Sequence, residues 1–382
     1  METSAVAEVQ GAIERLAALH ERTNCVAAWN ERAVETAAAL DASSERSPLH
    51  GVPFTVKDWI DVAGMPCTGG VRRFRDRRPE QDATVVARLR AAGAVVIAKT
   101  TVQVETRLFG PVLNPHDTAR SPGGSSSGEA VAVGGGAVPF GLGSDSGGSI
   151  RVPAAWCGAF GLKPSTGRVP LTGHFPAVFD RADGRTVIGP IAGSVRDLER
   201  VFAVIAGPDD RDPGCVGFAP PEPVARLRVG WNTGEGEWRA GAGVAEAIEG
   251  ACATLAAGGA ELVGEVPQHF DDALDITRRY WHRRELTGAE ADQQLVVWDQ
   301  YRVLMLAADA ADVVVMPATP DVAPLHRAME ETDYIFCLPA SLTGRPAVVV
   351  PIDVGGALPA AIQIVARPRR EDLALQAAGT LA

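Results

Sequence analysis

The chain has 382 residues, 46% hydrophobic and 22% charged, with a formal net charge of −11. This is ordinary globular usage with enough apolar residues for a sizeable core, and the acidic balance excludes nucleic acid or an anionic membrane as the main partner, because neither attracts a negative surface. No stretch reaches the roughly 18 uncharged apolar residues of a membrane-spanning helix, the N-terminus lacks the basic head and apolar core of a secretory signal, and six scattered cysteines form no CxxC pair, so a cytoplasmic protein with reduced thiols is expected.

Residues 5–40 carry apolar residues at helical spacing and read as two helices. "HGVPFTVKD", 50–58, alternates Val52, Phe54 and Val56 and reads as a strand with Lys57 near its C-terminal end. "DATVVARLRAAGAVVIAKT", 82–100, reads as a helix, a stop at Gly93, then a strand. Such a unit signals an α/β sheet. Residues 110–128 read as a loop, followed by a small-residue helix or strand. "GPIAGSVRDLERVFAVIAG", 189–207, reads as a turn entering a helix capped by Ser194. Residues 208–228 read as a surface connection and "RLRVGW", 226–231, as a short strand. A helix then ends in the glycines near 258. "ADVVVMPATPDVAP", "RPAVVVPI" and "PAAIQIVA" supply three further strands.

Only three of the 36 basic residues are lysines: Lys57, Lys99 and Lys163. A buried lysine can lose its proton whereas arginine effectively cannot, although each of the three could equally be a surface charge.

Two Gly/Ser stretches invite chemical readings. "SPGGSSSGEA", 121–130, is short for a flexible link. It contains G-x-S-x-G at Gly124–Gly128, which would make Ser126 the nucleophile of an α/β-hydrolase-like esterase. That elbow needs a preceding strand, and "NPHDTARSPGG" does not read as one. "GLGSDSGGSI", 141–150, fails as a phosphate loop, with Ser146 where a third glycine belongs and no Gly-Lys-Ser/Thr. No metal-ligand spacing appears here or elsewhere. What remains is a nest of backbone amides converging on an oxyanion, with Ser149 presenting its hydroxyl. A serine needs a base, and no histidine is near either stretch in sequence. Lys57 is the alternative, provided burial depresses its pKa from the usual value of about 10.4.

At these residues the sequence resembles a known family. "GGSSSGEA" followed by "GLGSDSGGSIRVPAAWCGAFGLKPSTGRVP" is similar to the signature of the amidase signature family, the Ser–cis-Ser–Lys amide hydrolases. "PLHGVPFTVKDWIDVAGMPCTGG", "DATVVARLRAAGAVVIAKT", "GPIAGSVRDL", "DVVVMPATP" and "LTGRPAVVVPI…LPAAIQIVARP" extend the resemblance across nearly the whole chain, in the family's order. It implies an α/β fold with a large mixed sheet covered on both faces by helices. It implies one domain over 1–382: a signature core at about 50–205, a shortened variable substrate region at about 206–310, and C-terminal strands of the same sheet at about 311–382. Lys57 takes the place of the base, Ser125 of the bridging serine and Ser149 of the nucleophile, 24 positions after Ser125 as the family spaces them. The backbone amides of Ser146, Gly147, Gly148 and Ser149 would form the oxyanion hole, and Asp145 with Arg151 would support that loop as an ion pair. The family's cis peptide falls at Gly124–Ser125. No metal or organic cofactor is implied, and the expected partner is a small-molecule amide, with a homodimer as the candidate assembly.

The chain departs from the family in its shortened middle, in a trimmed 99–122 segment, and in Ser341 where an asparagine is usual before "LTG". These departures bear on substrate. His174, Phe175 and Phe179 are the candidate substrate contacts, each equally readable as loop packing. "RRYWHRRELTG", 278–288, could hold a substrate carboxylate, but reads better as a helix with a solvated arginine face. Besides the Ser126 esterase, the alternatives are the amidase component of a transamidation complex and a non-catalytic binding protein on this scaffold.

Overall fold

The computed structural model describes residues 4–177, 184–217, 222–307 and 310–382. The amphipathic start folds as α1 (Ala5–Thr23), whose first turn is capped by the Ser4 hydroxyl. A short strand, β1 (Val26–Trp29), precedes α2 (Ala33–Ala42). The expected helix pair is therefore split by a sheet edge, because four residues are too few for strand alternation to stand out. β2 (Pro53–Lys57), α3 (Thr84–Ala91) and β3 (Val95–Thr100) fall where the sequence pattern places them. β4 (Glu105–Thr106) and β5 (Gly110–Pro111) make a small hairpin. The small-residue segment is a helix, α4 (Ser127–Gly134), and β6 (Phe140–Asp145), α5 (Arg151–Cys157) and β7 (Phe160–Lys163) follow.

The stretch expected to be a turn at 189 is β8 (Val187–Ala192), followed by α6 (Val195–Ile205), capped by Ser194 as expected. Its Gly-Pro pair reads as a turn, yet Pro190 lies beyond the short pairing with β7 at Phe160↔Ala192 and Gly161↔Ile191. A strand tolerates proline where the neighbouring ladder has ended. The middle of the chain supplies β9 (Arg228–Trp231), the β10 (Gly234–Glu235)–β11 (Trp238–Arg239) hairpin, α7 (Ala242–Ala257), β12 (Glu261–Glu265), α8 (Phe270–Trp281) and α9 (Gly288–Ala307). β13 (Val313–Pro317), α10 (Leu338–Leu342), β14 (Ala347–Ile352), β15 (Ala360–Ala366) and α11 (Glu371–Leu381) complete the chain.

Eleven strands form one mixed sheet in the order β1-β3-β2-β6-β8-β7-β14-β15-β13-β9-β12. Alternate strand residues feed opposite faces, as a period of two requires. Phe54, Val56, Phe140 and Leu142 join a core with residues of α3, α6, α7 and α11. Val95, Ile97 and Val349 join another with α1, α2, α4 and α5. α8, α9 and α10 build a third core against Val314, Met316 and Val365. No helix among the described residues is long and apolar enough to cross a membrane.

The sheet order positions the site. β2 and β6 are parallel neighbours, with Val56 opposite Leu142, so both deliver their C-terminal ends to the same edge. In open α/β sheets that edge is where ligands bind. Phe54 and Val56 face one core, so Thr55 and Lys57 face the other side, where α4 lies.

Candidate active site

All three lysines are fully buried, which excludes the surface-charge reading for each. Lys99 Nζ donates to the Ile60 carbonyl at 2.6 Å and lies 3.7 Å from an Asp58 carboxylate oxygen. Lys163 donates to the Pro164 carbonyl at 2.9 Å. Its burial, then the nearby Arg151 charge, push its pKa down to about 7.

Lys57 has a different setting. Its Nζ lies 2.8 Å from Ser125 Oγ, 2.9 Å from Ser126 Oγ, 3.1 Å from Ser144 Oγ and 3.2 Å from the Ser144 carbonyl oxygen. It also sits 4.3 Å from the centre of the Trp59 ring. No carboxylate hydrogen-bonds it among the described residues. Burial lowers its pKa to about 7, against the opposing pull of the Asp145 and Glu129 charges. Glu129, on the first turn of α4, accepts from Thr55 at 2.5 Å and from Thr100 at 2.7 Å. Burial raises it to about 7 despite those hydrogen bonds.

The Gly124–Ser125 peptide is cis. Its flanks are held on both sides: Tyr334 Oη donates to the Gly124 carbonyl at 3.2 Å and the Gln103 N–H to the Ser125 carbonyl at 2.9 Å. The Ser126 N–H donates to the Ser149 carbonyl at 3.1 Å, which ties the two Gly/Ser stretches together. Ser149 is half-buried, and its hydroxyl has no hydrogen-bond partner among the described residues. The geometry thus makes the Lys57–Ser125 contact and leaves the Ser149 hydroxyl open at the same edge.

Asp145 and Arg151 form the expected ion pair. Arg151 Nη2 and Nε each lie 3.0 Å from an Asp145 oxygen, both side chains are fully buried, and the other Arg151 donors reach the Cys337 carbonyl, Gln363 and Ser341. Ser341, the departure from the family's asparagine, is thus an acceptor for the guanidinium. Burial favours protonation of Asp145, but the Arg151 charge and hydrogen bonds outweigh it and hold the carboxyl at about 2.

The same carboxylate corrects the expected oxyanion hole. It accepts the Gly148 N–H at 2.8 Å and the Ile150 N–H at 3.1 Å. Gly148 therefore offers no donor to a ligand, because an ionised aspartate at the turn has already taken it. The Ser146, Gly147 and Ser149 amides meet no acceptor among the described residues. Gly148 has another role: it stands at φ +137°, and a Cβ there would lie 2.9 Å from Cys337 Cβ and Tyr334 Cδ1.

The fate of the other candidates varies. Ser126 is fully buried and its hydroxyl meets Lys57 and Ser144, with no histidine among its partners. The elbow reading has no support in that arrangement. His174 is buried, packs edge-on to Trp59 at 6.1 Å between ring centres, and its Nδ1 lies 3.0 Å from the Pro176 carbonyl. Phe175 packs edge-on to Phe74, with the Arg77 guanidinium 4.1 Å from its ring centre. The contact with Lys57 is made by Trp59, against which His174 packs. Phe179 lies outside the described residues. In the 278–288 stretch Arg278 and Arg279 are exposed, and Arg278 pairs with Glu331 at 2.8 Å. Tyr280 and Trp281 instead turn inward, and Trp281 packs edge-on to Tyr334.

Sequence reasoning missed Trp59, Ser144, Glu129 and Tyr334. Ser144 and Glu129 lie inside the quoted motifs, where only their neighbours attracted attention. Tyr334 carries no local signal.

The sequence model of the Amidase family matches residues 7–284. The A component of glutamyl-tRNA(Gln) amidotransferase from Methanosarcina barkeri (strain Fusaro / DSM 804) is 43% identical over 190 residues, covering 48% of this chain and 39% of that one. The chain thus aligns with less than half the length of that relative. AtzE, one of the subunits of 1-carboxybiuret hydrolase from Pseudomonas sp. (strain ADP), is 32% identical over 92% of this chain and 88% of its own. Among solved structures, 6-aminohexanoate cyclic dimer hydrolase complexed with substrate superposes with a TM-score of 0.85 at 26% identity, over 99% of this chain and 93% of that one. The chain belongs to the amidase signature family and is an amidase acting on carbon–nitrogen bonds.

Proposed function

We propose that the chain hydrolyses a small-molecule carboxamide through an acyl-enzyme on Ser149, with neutral Lys57 as base and Ser125 as proton relay. The observation that carries this is a lysine sealed from water, without a carboxylate hydrogen bond, 2.8 Å from Ser125 Oγ. Counting hydrogens supports the direction of transfer. A neutral amine has two N–H donors and one lone pair. The Ser144 carbonyl can only accept, and the Ser126 hydroxyl, 3.2 Å from that carbonyl, has an acceptor for its own proton. With those two oxygens taking the two N–H groups, the lone pair is open to a hydroxyl proton, and Ser125 Oγ at 2.8 Å lies nearer to it than Ser144 Oγ at 3.1 Å.

In acylation the Ser149 oxygen bonds to the amide carbon while its proton passes to Ser125 and the Ser125 proton to Lys57. The oxyanion that forms faces the Gly147 and Ser149 amides, with Ser146 beside them. Collapse breaks the C–N bond, and the departing nitrogen takes the proton back through the same relay. Water, activated in the same way, then releases the acid. The hydrogen bond from the Ser126 N–H to the Ser149 carbonyl supports this relay by holding the Ser149 segment beside that of Ser125.

A fluorophosphonate probe is expected to label Ser149, and a panel of primary, aryl and alkyl amides, read by ammonia or amine release, to reveal turnover. Ser149→Ala should abolish both. Retention of labelling and turnover in Ser149→Ala with loss in Ser126→Ala would reverse the assignment of the nucleophile.

The likeness to an amidotransferase component favours one second reading, in which a partner receives the ammonia. Glutamine hydrolysis, with gel filtration to detect a partner, separates that reading from free-standing hydrolysis.

A further inference from the structure

Resting on that reading of Ser149, we infer that Arg185 is a positioning residue, which sets the Gly147 N–H as an oxyanion donor by gripping the carbonyl on the other side of the same peptide. Arg185 is fully buried, just before β8, and Asp145 pairs with Val187 in the β6–β8 ladder. Continuing that register brings the residues after β6 against those before β8. There the Arg185 Nε donates to the Ser146 carbonyl at 2.9 Å, and the Ser146 and Thr186 hydroxyls lie 2.6 Å apart.

The peptide between Ser146 and Gly147 is planar, and in a trans peptide its C=O and N–H point in opposite directions. A guanidinium fixed on the carbonyl therefore fixes where the N–H points. The charge-assisted bond also polarises the amide and strengthens it as a donor. Ser149 obeys the same rule two peptides further on: the Gly148 carbonyl accepts from the Val152 N–H at 2.8 Å, so the Ser149 N–H faces the opposite way. Between them, the Gly148 N–H is held by Asp145 at 2.8 Å. Three successive peptides are thus each anchored at one end, and two of them leave an N–H on the reacting side.

Arg185 is itself held by α8. Its Nη1 donates to Thr277 Oγ1 at 3.2 Å, and its guanidinium carbon lies 4.5 Å from the centre of the Tyr280 ring, both on α8. Its Nη2 also packs on Gly147: a Cβ added there would meet Arg185 Nη2 and Trp281 Cζ2 at 3.3 Å each. α8 is in this way connected to the oxyanion loop.

The test is the rate at which an alkyl fluorophosphonate labels Ser149 in the full chain. In that reaction the Ser149 oxygen–phosphorus bond forms, the P–F bond breaks, the hydroxyl proton goes to Lys57 and the phosphoryl oxygen occupies the oxyanion site. Arg185→Ala should lower the limiting labelling rate about 30-fold, somewhat less than the outright loss of one oxyanion donor. The half-saturating probe concentration should stay within about threefold, since the contact acts on the transition state. Arg185→Lys should recover part of the rate, because an ammonium can still reach the Ser146 carbonyl. If Arg185→Ala does not fold, Thr277→Val and Tyr280→Leu decide: they loosen the guanidinium without vacating its site, and each should lower the limiting rate. Variants that label at the wild-type limiting rate, or whose whole loss lies in probe binding, overturn the role of Arg185. Absence of Ser149 labelling in the wild-type chain overturns instead the reading of Ser149 as nucleophile.

Discussion

A proton on Lys57 would place a full charge among three serines and a tryptophan ring, out of reach of water. That desolvation lowers its pKa to about 7, so the amine is largely neutral just above neutrality. The base form is lost as pH falls through that value. We expect kcat/KM to show an acidic limb with an apparent pKa near 7, falling about tenfold per pH unit below it. Lys57→Arg keeps the charge but removes the titration, and should lower kcat by about 1000-fold or more. A variant within tenfold of wild type in steady-state kinetics would remove Lys57 from the mechanism.

Placement of that lysine depends on how closely α4 approaches the sheet. A Cβ at Gly128 would lie 2.5 Å from the Cys25 carbonyl and 2.8 Å from the Thr101 nitrogen, both backbone atoms that cannot rotate away. Gly128→Ala must push α4 off β3 and carry Ser125 and Ser126 away from Lys57. It should cost about 1–3 kcal/mol of stability, the usual range for overpacking, and reduce Ser149 labelling as well, measurable by urea melts and probe rates on one sample. Gly250, exposed within α7, has nothing within 4 Å of its added Cβ. Gly250→Ala should instead stabilise by about 0.5–1 kcal/mol through helix propensity alone, with labelling unchanged. The opposite signs follow from what each helix packs against.

For the whole molecule, buried lysines are a stability cost that varies with pH. Lys57 and Lys163 titrate at about 7 in the folded chain, against 10.5 when unfolded. Between those values the unfolded state binds more protons, so stability rises with pH across that window and the cost is fully present below about pH 7. From pH 7 to 9 each lysine should contribute on the order of 2 kcal/mol to that rise. Wild-type Tm should therefore be higher at pH 9 than at pH 7, and Lys163→Met should raise Tm at pH 7 and flatten the slope. An equal slope in wild type and variant, by differential scanning calorimetry, would show that Lys163 is charged in the folded protein.

Much of this was readable along the chain. The alternation of Phe54 and Val56 placed β2 with Lys57 at its end, Gly93 separated α3 from β3, Ser194 marked the start of α6, and the two Gly/Ser motifs located Ser125 and Ser149. Such features are encoded within a few residues, by side-chain period, capping and φ preference, so a linear reading finds them. β1 was too short to show a period, and β8 was disguised by its Gly-Pro pair, which only the ladder beside it accommodates. The Arg185 contact with the Ser146 carbonyl and Tyr334 donating to Gly124 across 210 positions were settled by tertiary structure alone. Each is a choice of hydrogen-bond partner between groups remote in sequence. Such a choice is fixed by which atoms packing brings within 3 Å, and it leaves no periodic trace in the order of the residues.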